Sequence, residues 1–336
     1  MGRRLLTPAR APTPGDGSGA PARPGEGAGL HDRTVADAPA SNWVDRFAPA
    51  LWRPWLRLAR YDRPIGAWLL MWPCWWSAAL AATASGRTAQ LPAHLALFLV
   101  GAFVMRGAGS TWNDILDRDI DAAVERTRAR PVASGRIRAR HAFAFAVAQS
   151  LIGLVVLIQF NLFTSWLGIA SLAPVAVYPL MKRVFAAPQA VLGLCFAYGA
   201  LMGWAAVFGN LAWPAVALYG GAIAWVVGYD TVYGHQDQRD DAVIGVRSTS
   251  RTFGRHSRSV IAALYAASVL LIGAAVAGAG GGWASWLGLV AFAGHLAWQV
   301  GRLDPADPAR CLTLFRANRD AGLLLFAGLA LDALAR

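Results

Sequence analysis

The sequence predicts an all-α membrane protein, a polytopic bundle of about nine transmembrane helices. Of its 336 residues, 56% are hydrophobic and only 15% are charged, whereas soluble domains usually carry about 25% charged residues. The 15 tryptophans and 35 glycines are typical of membrane helices, because Trp anchors a helix at the interface and Gly permits close helix packing. Stretches of about 20 mostly apolar residues also recur to the end of the chain. These features argue against a large soluble core.

The predicted spans begin after a polar tail. Residues 1–42 are rich in Pro, Gly, Ala and Arg and lack hydrophobic periodicity, so we expect a disordered tail there and a membrane domain over 43–336. The spans are expected at residues 64–84, 91–113, 141–160, 163–181, 189–208, 211–233, 260–279, 283–300 and 314–334. The last is the least regular, because Arg316, Arg319 and Asp320 fall near its start.

The net charge of +12 comes almost entirely from arginine, and the positions of these arginines along the chain indicate what the protein binds. Taken alone, such a charge would suggest nucleic acid. Here the basic residues lie in alternate loops, as cytoplasmic loops of membrane proteins do, which indicates a lipid bilayer and no nucleic acid. We therefore expect a multi-pass protein of a bacterial inner membrane, with its even-numbered loops and active site toward the cytoplasm. Three widely separated cysteines indicate neither a disulfide framework nor a zinc site.

Two of the basic loops open with acidic residues at the end of an apolar span, which is an expensive place for charge. In the second loop Asn113, Asp117 and Asp121 recur every four residues, so a continuing helix would stack them on one face, turned by about 40° per step. Asp114 lies about 100° from Asn113 on that helix and is expected behind the other three. Stacked carboxylates repel one another, and a divalent cation would compensate.

The sixth loop repeats this arrangement. Asp237 and Asp241 have the same spacing, and Asp230 lies seven residues earlier, about 20° from their face. Each acidic run is followed by a basic segment with a glycine, which indicates an imperfect internal repeat. Oxygen ligands of this kind suit Mg²⁺, which usually also binds substrate phosphates. The alternative is that these are solvated loop charges paired with neighbouring arginines.

These segments resemble the two signatures of the UbiA superfamily of intramembrane prenyltransferases, in particular its branch that acts on 4-hydroxybenzoate in ubiquinone biosynthesis. The signatures are NDILDRDIDAAVERTRARPVASGR and YDTVYGHQDQRDDAVIGVRST. Two further segments are similar to the same branch, RYDRPIGAWLLMWPCWW from residue 60 and YPLMKRVFAAPQAVLG from residue 178. The resemblance covers the chain from about residue 56 onward.

The resemblance implies a fold, a site and a reaction. The fold would be a helical bundle around a central cavity that opens sideways to lipid. The reaction would be Mg²⁺-dependent transfer of a polyprenyl group from polyprenyl diphosphate to the 3-position of 4-hydroxybenzoate. The metal ligands would be Asn113, Asp117, Asp237 and Asp241, with Asp121 and Asp230 supporting. Tyr178 and Lys182 would contact the diphosphate, and Asp117, Asp237, Asp241 and Lys182 would be the catalytic residues.

Other residues have two interpretations each. Arg60 or Arg63 would bind the acceptor's carboxylate, or both would anchor the first span at the membrane interface. Arg130 would contact the diphosphate or serve as an anchor in the same way. His235 would help remove the ring proton, or it would be a hydrogen-bond partner of the neighbouring acids.

Two alternatives to the predicted function stay open. The first is a different acceptor, such as homogentisate, a naphthoate, haem or a chlorophyllide, since the aspartates bind only the diphosphate. The second is a cation-coupled transporter, because acids inside a membrane also mark ion pathways. A transporter predicts acids in the middle of its helices, whereas the acids here cluster at one face of the membrane.

Overall fold

The computed structural model describes residues 39, 41–125, 127–184, 188–236 and 248–336. Within those residues the chain forms helices and no strand, as predicted. Nearly all of the predicted tail lies outside the described residues. Asn42, at its end, caps the first helix, its side chain accepting a hydrogen bond from the backbone N–H of Asp45.

Fifteen α-helices are described, here numbered in chain order. The first eight are α1 (Trp43–Phe47), α2 (Arg53–Leu58), α3 (Ile65–Ser85), α4 (Leu91–Leu116), α5 (Arg118–Ala123), α6 (Ala139–Leu157), α7 (Leu162–Ala170) and α8 (Leu172–Val184). The others are α9 (Pro188–Ala197), α10 (Gly199–Phe208), α11 (Trp213–Gly234), α12 (Thr249–Phe253), α13 (Ser257–Gly278), α14 (Trp283–Arg302) and α15 (Pro308–Leu334).

Six helical segments in the described part are long and apolar enough to cross a membrane, so the polytopic prediction is confirmed and the count of nine is not. They are Ile65–Ser85, Thr88–Leu116, Ala139–Leu157, Pro188–Phe208, Trp213–Gly234 and Thr249–Gly278. The span predicted at 163–181 is divided at Ser171 into α7 and α8. Helices α14 and α15 have the required length, but polar and charged residues lower their hydropathy below that of the six.

Helix α3 lies at the centre of the bundle, which explains why it is buried on nearly every side. It packs against α4, α10 and α15. Its Trp76 ring contacts Trp225 of α11 and Phe292 of α14, with ring centroids 4.9 and 5.7 Å away. Gly203 allows α10 to approach closely, because a Cβ there would lie 2.5 Å from the carbonyl oxygen of Cys74 in α3. A helix so enclosed provides a fixed wall for whatever lies beside it.

Buried polar side chains join the later helices. The Trp225 indole donates to Asn318 Oδ1 at 2.8 Å, and Asn318 Nδ2 donates to Gln299 Oε1 at 3.1 Å. Gln299 Oε1 also accepts a hydrogen bond from the Tyr265 hydroxyl at 3.2 Å. These contacts connect α11, α13, α14 and α15. Because a buried polar group without a partner is costly, they fix the relative positions of the four helices.

Candidate active site

A cavity of about 1100 Å³ lies beside α3, bordered by α4, α6–α11 and α15. One end is polar and the rest is apolar. The polar end carries Arg60, Arg63, Asn113, Arg130, Tyr178, Asp230 and Tyr233. The apolar part is lined by residues such as Leu69, Met105, Phe160, Val175, Phe196 and Met202. A molecule with an anionic head and a hydrocarbon tail matches this division.

The cavity opens sideways through an apolar surface. Phe143, Val147 and Leu154 of α6 line the cavity and are also exposed on the outside of the bundle. Ile169 of α7 and Leu172 of α8 do the same on the facing side. Since exposed apolar side chains on membrane spans contact lipid, a hydrocarbon chain can pass between the cavity and the bilayer here.

The first aspartate motif lies at the end of α4. Asp117 interrupts the helix, but the backbone hydrogen bonds run on, from Asp117 N to Asn113 O at 2.9 Å and from Asp121 N to Asp117 O at 2.8 Å. The four-residue stacking predicted from the sequence is therefore present. Asn113 Nδ2 donates to Asp117 Oδ2 at 3.0 Å, so these two side chains lie together at the polar end.

Arginines surround the other two acids of this motif. Arg60 Nη2 lies 2.6 Å from Asp114 Oδ1, and Arg130 Nη1 lies 2.8 Å from Asp121 Oδ2 and 3.4 Å from Asp114 Oδ1. Burial raises the pKa of Asp121, and Arg130 acts in the opposite direction. Asp114 lies behind the motif, as its position on the helix predicts. Asp121 is engaged by Arg130, and its role as a supporting metal ligand stays a prediction.

The central part of the second motif, with Asp237 and Asp241, lies outside the described residues. Its two flanks are held together. Ser250 Oγ donates to Gly234 O at 3.0 Å, the Thr231 and Thr249 hydroxyls are 2.7 Å apart, and Gln189 Oε1 accepts from Thr249 N at 3.0 Å. The described residues on the two sides of this segment are therefore neighbours, and Asp230 and Tyr233 on the first side line the polar end of the cavity.

The remaining predicted site residues are distributed around this end. Asp230 and Tyr178 line the cavity, and Lys182 follows Tyr178 by one turn of α8. Arg63 is buried, with Nη1 3.3 Å from Asp62 Oδ2. His235 is buried at the end of α11. None of these positions tests the predicted roles, which stay predictions.

One cavity residue has no place in the sequence-based prediction. Arg106 lies within α4, borders the cavity, and stacks on Phe196 with its Cζ 5.5 Å from the ring centroid. Its signal was present in the sequence, since a lone arginine inside an apolar span is costly and usually functional. Arg106 lies outside both aspartate motifs, so a prediction based on those motifs does not include it.

A model of the UbiA prenyltransferase family matches residues 70–326. The chain belongs to the UbiA prenyltransferase family. Solved structures agree on the fold. The apo UbiA homologue from Aeropyrum pernix K1 has a TM-score of 0.65 at 24% identity, covering 79% of this chain and 97% of the homologue. The UbiA homologue from Archaeoglobus fulgidus bound to GPP and Mg²⁺ has a TM-score of 0.58 at 16% identity, covering 84% and 100%.

Similar sequences come from eukaryotes. The chain is 42% identical over 295 residues to the mitochondrial 4-hydroxybenzoate polyprenyltransferase of Arabidopsis thaliana, covering 87% of this UbiA-family chain and 71% of the relative. It is 41% identical over 344 residues to the protein of the same name from Rattus norvegicus, covering 98% and 90%. The resemblance inferred from the motifs is thereby confirmed over most of the chain.

The predicted bacterial inner membrane is wrong. The Arabidopsis thaliana and Rattus norvegicus relatives are named as mitochondrial proteins, and this finding contradicts a bacterial membrane. The expectation of a site facing the cytoplasm is withdrawn with it. The error has a physical reason: loop arginines report how a chain is oriented across a bilayer, and they carry no information about which membrane that is. The multi-pass arrangement is unaffected.

Proposed function

We propose that this UbiA-family protein transfers a polyprenyl group from polyprenyl diphosphate to the 3-position of 4-hydroxybenzoate. The products are 3-polyprenyl-4-hydroxybenzoate and diphosphate, in ubiquinone biosynthesis. The names of the relatives from Arabidopsis thaliana and Rattus norvegicus support this reaction. The structural observation that carries it is the cavity, which has arginines and the first aspartate motif at one end and apolar walls that open to lipid.

The donor set at the polar end fits a hard divalent cation, which we propose to be Mg²⁺. Asn113 and Asp117 supply neighbouring oxygen atoms, and Asp114 Oδ2 is buried without a hydrogen-bond partner in the described part of the chain. Among the described residues, His, Cys, Asp and Glu side chains form no metal-binding group of three. We therefore propose that Asp237 and Asp241, outside those residues, complete the ligand set. Magnesium, when bound, would neutralise the diphosphate as it leaves.

The protein's own residues supply the rest of the chemistry. Arg130, Tyr178 and Lys182 are proposed to hold the diphosphate, and the arginine fork matches phosphate oxygens well. The bond between the allylic carbon and the diphosphate breaks, and the allylic carbon bonds to the ring carbon ortho to the hydroxyl. That ring carbon then loses its proton. The apolar walls exclude water, which would otherwise capture the allylic cation.

The test is a radiometric assay in membranes that contain the protein. Labelled 4-hydroxybenzoate is incubated with a panel of prenyl diphosphates, with and without EDTA. We expect a labelled lipid product that forms only with prenyl diphosphate, disappears with EDTA and returns with added Mg²⁺. Absence of product with every prenyl diphosphate would contradict the proposed function. Preferential product formation from homogentisate or a naphthoate would show that the protein transfers a prenyl group to an acceptor other than 4-hydroxybenzoate.

A further inference from the structure

A second, shallower groove lies on the outside of the bundle, between α2 and α6. Its volume is about 480 Å³, and it is lined by Trp52, Trp55, His141, Ala144 and Phe145. The rings of Trp55 and Phe145 contact each other edge to face, with their centroids 5.1 Å apart. Trp52 and Ala144 are exposed, so the groove is open to the surroundings of the protein. None of its lining residues borders the central cavity.

The position of the groove in the membrane follows from the two helices that form it. Helix α6 begins its membrane-spanning segment at Ala139, so His141 and Ala144 lie in its first two turns. Helix α2 comes shortly before the membrane-spanning α3. The polar end of the cavity carries Arg60, which follows α2, and Arg130, which precedes α6. The groove therefore lies where the bilayer meets water, on the side of the polar end.

The segment that carries Trp52 presents apolar side chains outward and is held firmly in place. Phe47 is 71% exposed and Leu51 is 79% exposed, and Trp52 is exposed beside them. Asp45 of α1 pairs with the buried Arg57 of α2, with 2.6 Å between Oδ1 and Nη2. Apolar side chains fixed at the membrane surface insert among the ends of lipid acyl chains nearest the headgroups. The surface around the groove is thus suited to lipid.

Basic side chains lie on the water side of the groove. Arg140 comes one helical turn, about 6 Å, before Ala144 and on nearly the same face of α6. His141 has the same relation to Phe145. Arg138, which precedes the first turn, is exposed, as are Arg140 and His141. Within the part of the chain that the structure describes, Arg138 and Arg140 form no ion pair with a protein carboxylate.

An apolar groove inside the membrane with arginines above it matches a phospholipid that carries a net negative charge. The groove accommodates part of an acyl chain, and the arginine forks match phosphate oxygens. A zwitterionic headgroup brings a cation of its own, which the two arginines repel. A soluble phosphate compound has no apolar part to fill the groove. Both halves of the site are therefore satisfied together by an anionic lipid.

We propose that the groove between α2 and α6 binds an anionic phospholipid. Its acyl chain lies against the aromatic rings of the groove, and its phosphate accepts hydrogen bonds from Arg138 and Arg140. A lipid bound here contacts both helices and stabilises the packing of α2 on α6. This site is separate from the central cavity, so its test does not depend on the transfer reaction.

The test measures lipid binding to the purified full-length protein in a neutral detergent, by native mass spectrometry. The probes are anionic phosphatidylglycerol, zwitterionic phosphatidylcholine with the same acyl chains, and sn-glycerol 3-phosphate, which has the phosphate without the chains. We expect phosphatidylglycerol to bind about tenfold or more tightly than phosphatidylcholine, and no binding of sn-glycerol 3-phosphate. Phosphatidylglycerol should also raise the melting temperature by about 3–5 °C, because a ligand of the folded state stabilises it.

Arg138→Gln combined with Arg140→Gln tests the charged part of the site. This double variant should bind phosphatidylglycerol about tenfold more weakly and lose most of the rise in melting temperature. Arg258→Gln combined with Arg310→Gln is the matched control, since these exposed arginines lie in the first turns of α13 and α15 and do not line the groove. The control removes the same number of charges and should bind phosphatidylglycerol as the wild type does.

Ala144→Trp tests the apolar part of the site and keeps every charge. Ala144 is exposed and lines the groove, so tryptophan at this position would occupy the space proposed for the acyl chain. We expect phosphatidylglycerol to leave the melting temperature of this variant unchanged. Ala148→Trp is the control on the same helix, because Ala148 is exposed one turn further along and lines neither the groove nor the cavity. It should keep the wild-type response.

Several results would overturn the assignment. Equal binding of phosphatidylglycerol and phosphatidylcholine to the wild type would show a contact with any lipid. Equally tight binding of sn-glycerol 3-phosphate would show a site for free phosphate. Wild-type lipid binding in both the double arginine variant and Ala144→Trp would place the lipid elsewhere on the protein. A wild-type dimer that Ala144→Trp converts to a monomer, with no effect of lipid on either, would show that a second copy of the chain covers the groove.

Discussion

Asp114 organises the polar end of the cavity at the scale of single residues. Its side chain is fully buried and receives Arg60 on one side and Arg130 on the other. Arg60 adopts a left-handed backbone conformation, with φ of 63°, which costs a residue with a side chain about 1–2 kcal/mol. The ion pair with Asp114 is one of the contacts that act against this cost. The acid thus fixes two arginines beside Asn113 and Asp117.

Asp117→Asn tests the proposed metal site. The change keeps the size of the side chain and removes its charge, so we expect prenyl transfer to fall by about 100-fold or more through loss of electrostatic stabilisation. The protein should still fold in the membrane, because asparagine has the same size and its side-chain oxygen can still accept the hydrogen bond from Asn113 Nδ2. Turnover at the wild-type rate, with the same dependence on Mg²⁺, would refute the assignment of Asp117 as a ligand.

Asp114→Asn tests the buried ion-pair network, and Asp119→Asn is its control in the same motif. Removing one partner of a buried pair should lower the free energy of unfolding by about 3 kcal/mol, because the ion pair between Arg60 and Asp114 is lost. Asp119 is exposed and contacts only the exposed Arg118 among its ion-pair partners in the described chain. Its replacement should leave stability unchanged. Thermal unfolding in detergent measures both, and equal melting temperatures would contradict the network's role.

At the scale of helices, glycine determines how closely α14 and α15 approach. A Cβ at Gly288 would lie 2.9 Å from the Cα of Gly328, and one at Gly328 would lie 2.5 Å from the carbonyl oxygen of Ala284. These are backbone atoms that cannot rotate away. The two helices are therefore in direct backbone contact, an arrangement that small residues permit inside membranes. Helix α15 in turn packs on α3, the wall of the cavity.

Two alanine substitutions within α14 test whether this backbone contact matters for stability, or whether replacing any glycine of the helix has the same effect. Gly288→Ala should destabilise the protein by about 1–3 kcal/mol, because the helices must move apart. Gly294→Ala should be neutral or slightly stabilising, since no atom lies within 4 Å of its Cβ position and alanine favours helix. Unfolding in detergent, followed by circular dichroism, measures the difference. Equal destabilisation by both variants would show that the close contact is not what matters.

The apolar stretches of the sequence predict well where helices occur and less well where those helices are interrupted. The spans expected at 64–84 and 91–113 correspond to α3 and to most of α4, because long apolar runs leave few other structures possible in lipid. The span expected at 163–181 is divided at Ser171, since hydropathy averages over a window and does not register a local break. The interruption at Asp117 is missed for the same reason, although the stacking across it is correct.

At the scale of the whole molecule, the candidate site could be predicted in part. The spacing of Asn113 and Asp117 predicts their proximity, because one helix carries both. The contacts of Arg106 are not predicted, since Phe196 and Gly66 come from other helices. Local periodicity contains no information about such distant neighbours. The type of membrane is not predicted either, because the same bundle can occupy any bilayer of suitable thickness.

The sideways opening also belongs to this scale, and it determines which substrates the cavity can accept. The polar end carries residues of α4, α8 and α11 and of the segments that precede α3 and follow α5, whereas the opening lies between α6 and the pair α7–α8. A diphosphate held at the polar end can therefore direct its hydrocarbon chain out through the sideways opening. Because the chain stays in lipid, its length has little influence on the free energy of binding while the opening is clear.

Narrowing the opening should make the enzyme sensitive to the length of the prenyl chain. Ala176 of α8 borders the cavity and is also exposed, so tryptophan at this position would obstruct the passage. We expect Ala176→Trp to reduce kcat/KM about tenfold or more for long polyprenyl diphosphates, with little change for geranyl diphosphate, because only the long chain must pass the obstruction. Ala173→Trp is the control, since Ala173 is exposed on the same helix and does not line the cavity. If both variants reduce activity equally for short and long substrates, the hydrocarbon chain leaves the cavity by another route.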